Sequence, residues 1–138
     1  MNFEAVIVDA NIAFKALVSK HGDLRTRLDS SSNIRFYTPG FLFVELFKHK
    51  TRLIRATRLT EEELLEALQA LISRMEFTNE ANIPLGVWLE AHRLCRNVDE
   101  NDTAYVALSL HLDGILWTDD MQLKEGLRAK GFNRFYQP

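Results

Sequence analysis

A single cysteine, Cys95, stands among the 138 residues, so no disulfide can form within the chain. The four histidines, His21, His49, His92 and His111, show no ligand spacing. With one thiol beside them they exclude a Cys/His zinc site, and any metal held here would be a hard cation on carboxylate oxygens. Glycine is sparse at six residues and forms neither of the phosphate-cradling loops, nor is there a Gly-x-Ser-x-Gly elbow for a nucleophilic serine. Neither sign of charge dominates: 19 acids against 17 bases give −2, which excludes both a strongly basic nucleic-acid coat and a disordered acidic tail. No apolar run approaches the roughly 20 residues of a membrane-spanning helix, and Glu4 ahead of a short apolar run does not read as a signal peptide. What remains is 46% hydrophobic, enough for one domain spanning residues 1–138 with a substantial core. The expectation is a cytoplasmic protein in a reducing compartment.

The apolar run Ala5-Val6-Ile7-Val8 is unbroken rather than alternating and ends at Asp9, the pattern of a strand buried on both faces of a parallel sheet. Asn11 to Lys20 reads as a helix with Ile12, Phe14, Ala16 and Leu17 on its apolar stripe. The polar stretch from His21 to Asn33 reads as a loop or short helix, and Ile34 to Thr38 as a strand. After Pro39-Gly40 one helix is expected from Phe41 to about Arg55. Thr60 with Glu63 forms a capping box for a helix from Glu61 to Met75. A short extended piece at Glu76 to Thr78, a helix ending near Asn97, and a helix starting near Asp99 to Asn101 follow. The chain closes with a strand at Ile115 to Thr118, a helix from Met121 to Lys130 stopped by Gly131, and a last strand over Phe132 to Tyr136. Strands alternating with helices predict an α/β domain around a mainly parallel sheet.

Chemistry is sought in acids at unfavourable or strategic places. Asp9 follows a fully apolar strand, and Asp119 and Asp120 follow another; the carboxyl ends of parallel strands border the crevice where ligands bind. Aspartates also start loops and cap helices, so each alone has a structural explanation. Glu45 interrupts Phe41-Leu42-Phe43-Val44 and Leu46-Phe47, with Leu42, Phe43, Leu46 and Phe47 expected to bury one side of the helix. A buried carboxylate needs a cation or hydrogen-bonding partner, which Lys48 or His49 could supply within the helix. Asp102 lies in the first turn of a helix, where the macrodipole favours an acid, and Asp99 three residues earlier can share its face. Such a cluster repels itself unless a divalent cation neutralises it.

These residues carry a resemblance. Val6-Ile7-Val8-Asp9-Ala10-Asn11, then Val44-Glu45-Leu46, then the run from Asp99 to Leu108, then the run from Gly114 to Asp120 together resemble a PIN domain, the nuclease fold of VapC-type toxins and of many stand-alone proteins. The resemblance covers nearly the whole chain and implies a three-layer α/β/α domain around a mainly parallel sheet. It places the family's acidic quartet, catalytic and metal-binding, on Asp9, Glu45, Asp102 and Asp120. Asn11, Asp99, Thr118 and Asp119 fall in supporting positions, Asp119 as an outer acid. It implies Mg²⁺- or Mn²⁺-dependent cleavage of RNA, an antitoxin partner in the toxin branch, and pairing into a homodimer through helical faces.

RNA would need cations near that site. Lys48, Lys50, Arg52, Arg55 and Arg58 run without an intervening acid, starting one turn after Glu45, and either attract a polyanion or form a solvated helix face. With four acids assigned to a metal site, 15 acids face 17 bases elsewhere, so the near-neutral total conceals an acidic pocket on a mildly basic surface. A non-catalytic RNA- or protein-binding module of the same fold is the alternative. A phosphatase of the haloacid-dehalogenase kind would want a second aspartate where Asn11 stands.

Overall fold

A computed structural model of the chain describes residues 3–18 and 33–137. Among them lie four strands, β1 (Glu4–Val8), β2 (Ile34–Pro39), β3 (Glu76–Thr78) and β4 (Ile115–Trp117). Seven α-helices accompany them: α1 (Ala10–Val18), α2 (Phe41–Lys48), α3 (Lys50–Thr57), α4 (Glu61–Ile72), α5 (Leu85–Cys95), α6 (Thr103–His111) and α7 (Met121–Ala129). The sheet order is β3-β2-β1-β4 and every pairing is parallel, with Val6 opposite both Phe36 and Ile115. Helices cover both faces, giving the three-layer α/β/α arrangement expected.

The unbroken apolar run of β1 is explained by its central place. Val6 and Val8 point into a core layer with Ile12, Leu17, Leu42, Leu53 and Leu64, while Ile7 points into the opposite layer with Leu94, Tyr105, Leu108, Leu116 and Leu127. All three β1 residues are fully buried. Gly114 permits the entry to β4 to lie against β1, because an added Cβ would stand 2.8 Å from the Ala5 carbonyl oxygen. The capping box forms as expected, Thr60 Oγ1 accepting from Glu63 N and Glu63 Oε1 from Thr60 N, both at 3.1 Å. Gly131 adopts φ +96° just past α7, the left-handed stop its sequence position implied.

Three expectations need correction. The helix expected from Phe41 to Arg55 breaks at His49 (φ −108°, ψ 18°) into α2 and α3 without proline or glycine. The bend turns Leu53 into the α1 layer of the core, whereas Val44 and Phe47, at 58% and 61% exposed, face outward. Leu42 and Leu46 do bury, and Phe43 stacks on Phe77 at 4.7 Å between centroids. The last strand reduces to an isolated bridge between Leu116 and Phe135, since Phe132 and Phe135 turn into the core and stack edge to face. The segment read as a loop from His21 onward lies, apart from Asn33, outside the described residues. Cys95 is buried, and burial pushes its thiol up to about 11, so it behaves as a small core residue. Among the described residues no helix is long and apolar enough to cross a membrane.

Candidate active site

In this strand order the connections run outward from β1 to β2 and β3 and then return to the far side of β1 at β4, so the direction of winding switches between β1 and β4. A crevice at the carboxyl ends of the strands is the geometric consequence. Asp9 follows β1 directly and Asp120 follows β4 by three residues, so both acids stand at that crevice. The link is tight: Asp9 N donates to the Trp117 carbonyl at 3.3 Å, and the buried Thr38 hydroxyl donates to the Val8 carbonyl at 3.1 Å.

Each acid is fixed by a helix start. Asp9 Oδ1 accepts from Ile12 N at 2.9 Å at the head of α1, and Asp120 Oδ1 accepts from Leu123 N at 3.1 Å at the head of α7. Thr118 Oγ1 accepts from Asp120 N at 3.1 Å and its hydroxyl also bonds the Asp9 carboxylate, so this buried threonine ties the two strand ends together. Asp99 Oδ1 accepts from Asn101 N at 3.0 Å and opens the 3-10 turn (Glu100–Asp102) that leads into α6. That turn swings Asp102 back beside Asp99. Glu45 arrives from α2, partly buried, with His49 Nε2 at 3.9 Å from its Oε2.

Asp9, Asn11, Glu45, Asp99, Asp102 and Asp120 all line one cleft of about 190 Å³, joined by Lys48, His49 and Tyr105. Carboxylate oxygens of Asp99, Asp102 and Asp120 lie within 4.8 Å of one another. Asp9 is 3% exposed, and burial is the main reason its carboxyl rises to about 6, against the hydrogen bonds from Thr118 and Ile12 that hold it down; Asp119 and Asp120 push it further up. Burial, then the charges of Asp99 and Asp9 and the hydrogen bond shared with Asp99, push the Asp102 carboxyl strongly up. The site therefore resists its own negative charge, which a bound cation would relieve. Hard oxygen donors, no thiolate or imidazole among the three clustered acids, and a surplus of negative charge suit a hard divalent cation.

The structure separates residues that sequence reasoning grouped. Asp119 does not line the cleft; it is exposed and pairs with Lys15 of α1 on the surface. Asp99, expected as a supporting acid, stands inside the trio with Asp102 and Asp120, while Asp9 and Glu45 line the same cleft beside it. Of the five bases, Lys48 alone lines the cleft; Lys50 pairs with Glu61 at 3.0 Å, and the Arg52 guanidinium sits 4.8 Å from the centroid of Phe14. Arg55 and Arg58 are exposed on and after α3. Two residues were overlooked. Tyr105, given no role from the sequence, forms part of the cleft wall, and the single signal for it is a phenol one helical turn after Asp102. Glu80 Oε1 accepts from Gly40 N at 2.7 Å, anchoring the start of the helix that carries Glu45.

Known proteins place the chain. The profile of the PIN domain family matches residues 7–137. Two solved structures share the fold: VapBC2 from Rickettsia felis bound to a DNA fragment from their promoter, with TM-score 0.65, 16% identity and coverage of 88% of this chain and 92% of that one; and VapBC-1 from nontypeable Haemophilus influenzae, with TM-score 0.64, 15% identity and coverage of 91% and 93%. No curated protein sequence matches it. A profile match from the middle of β1 to the end of the described residues, on a fold that gathers the acids of four separate segments into one cleft, makes this chain a member of the PIN-domain family.

Proposed function

We propose that this protein is a divalent-cation-dependent ribonuclease whose acidic quartet is Asp9, Glu45, Asp102 and Asp120, and that it is the toxin of a toxin-antitoxin pair. The observation that carries the reading is the convergence of Asp99, Asp102 and Asp120 oxygens within 4.8 Å beside buried Asp9. Three separate segments deliver these acids to one cleft, and α2 adds Glu45 to it.

A divalent cation bound there would neutralise the carboxylates, make water more acidic and stabilise charge on phosphate oxygens. Asp99, Asp102 and Asp120 would hold it, with Asp9 as the buried acid behind them. Glu45 lines the same cleft, partly exposed, and orients the attacking water. Lys48 there draws the phosphate backbone into the cleft, and Arg55 and Arg58 extend that attraction along α3. Asn11, exposed at the rim, offers an amide to the strand.

The partner reading rests on the two related complexes and on a surface feature. Leu17, Leu46, Phe47, Leu53, Leu64 and Leu65 line an apolar groove bordered by the Lys50–Glu61 pair, with Phe47 and Leu65 at 61% and 46% exposure. A segment of an antitoxin covering it would remove that surface from water. Activity is tested by incubating a mixed RNA panel with the protein under Mg²⁺, Mn²⁺ or chelator, beside Asp102→Asn. Cleavage that needs the ion and is lost in the variant supports the reading; RNA binding unchanged by chelator with no cleavage across the panel refutes it and makes the protein a binding module.

A further inference from the structure

The Tyr105 hydroxyl is a polar group in the wrong place for a core residue. Its side chain is 2% exposed, its ring packs edge to face on Phe41, and its oxygen has no hydrogen-bonding partner among the described residues. Leaving such a group unsatisfied costs about 1–3 kcal/mol, and buried polar atoms are seldom left so. Phenylalanine would fill the same space without that penalty.

Its surroundings indicate what it is for. Tyr105 belongs to the wall of the acidic cleft, and the charges of Asp9, Glu45, Asp102 and Glu80 all act on it. Burial and those charges hold the phenol neutral, so at any working pH it has a proton to donate. A small neutral oxygen that can accept from the phenol and in turn donate to carboxylates satisfies every group at once. Water does this, whereas an anion at the cleft floor would be repelled.

We propose that Tyr105 is a positioning residue whose hydroxyl donates a hydrogen bond to a water retained in the cation-loaded cleft, so that it supports cation binding without touching the cation. This rests on the metal-dependent reading of the site above. Groups that hydrogen-bond around a metal site without ligating it typically govern affinity by 10- to 100-fold.

The test is Mn²⁺ titration, by calorimetry, of the full-length wild type, Tyr105→Phe and Asp102→Asn, with metal-free melting temperatures alongside. Tyr105→Phe is expected to melt at or above the wild-type temperature without metal and to bind Mn²⁺ at least tenfold more weakly. A purely structural tyrosine would show the reverse, a lower melting temperature and unchanged affinity. Affinity within twofold of wild type overturns the inference while leaving the functional reading intact. Wild type that takes up no Mn²⁺ overturns both. Weakened Mn²⁺ binding in Tyr105→Phe, together with a wild type that cuts no RNA, upholds Tyr105 and refutes the ribonuclease.

Discussion

Asp9→Asn should stabilise the metal-free protein while weakening its response to metal. Burial raises the Asp9 carboxyl from 3.8 to about 6, so the folded state binds a proton that the unfolded chain has released across that interval. Stability must then fall as pH rises from about 4 to 6, and stay low above. The interval corresponds to about 3 kcal/mol by the free energy per pKa unit, undiminished by solvent because the residue is 3% exposed. For a chain of 138 residues that is about 10 °C in melting temperature. Asparagine keeps the oxygen that accepts from Ile12 N and removes the charge. Thermal melts in chelator should put the variant up to about 10 °C above wild type at pH 7.5, with the gap closing below pH 4. Saturating Mn²⁺ should raise the wild type by more than the variant, which keeps Asp99, Asp102 and Asp120 but loses the acid behind them. A metal-free wild type whose stability rises with pH between 4 and 6, or a variant less stable at pH 7.5, would refute the electrostatic reasoning.

Other outcomes follow from the same geometry. Lys48→Ala should weaken RNA binding at every sequence and reduce the slope of log affinity against log salt by about 1, read by fluorescence anisotropy; Arg52→Ala, whose guanidinium rests on Phe14, should change that slope less. Lys15→Ala breaks an exposed pair with Asp119 outside the cleft, so chemical denaturation should move by no more than about 0.5 kcal/mol and cleavage should be unaltered. Gly131→Ala forces a Cβ onto φ +96° and should destabilise by about 1 kcal/mol, measured by urea unfolding, with metal affinity preserved.

The parts legible in the sequence are those governed by short-range rules. An unbroken β-branched run ending in an acid specified both the centre of the sheet and the place of Asp9. The capping box at Thr60 and the stop at Gly131 are local hydrogen-bond and dihedral effects, and both appear as read. What failed depended on packing between distant segments. His49 carries no breaking signal, and the bend there is set by where Leu53 can bury. Adjacent Asp119 and Asp120 are chemically equal as text; the helix start captures Asp120, and Lys15 from α1 captures Asp119. Asp99 owes its place in the trio to a 3-10 turn that folds Asp102 back towards it, and three-residue spacing alone cannot distinguish that from a solvated helix start.

That last pair of neighbours gives the most direct test of the central claim, that the cleft and its cation are the catalytic machinery. Cleavage of RNA in Mn²⁺ should be compared for wild type, Asp119→Asn and Asp120→Asn. Asparagine preserves the cap on Leu123 N, so both variants should fold. Asp120→Asn is expected to lose at least 100-fold in rate and Asp119→Asn to stay within twofold of wild type. Equal rates for the two variants, or loss confined to Asp119→Asn, would contradict the account.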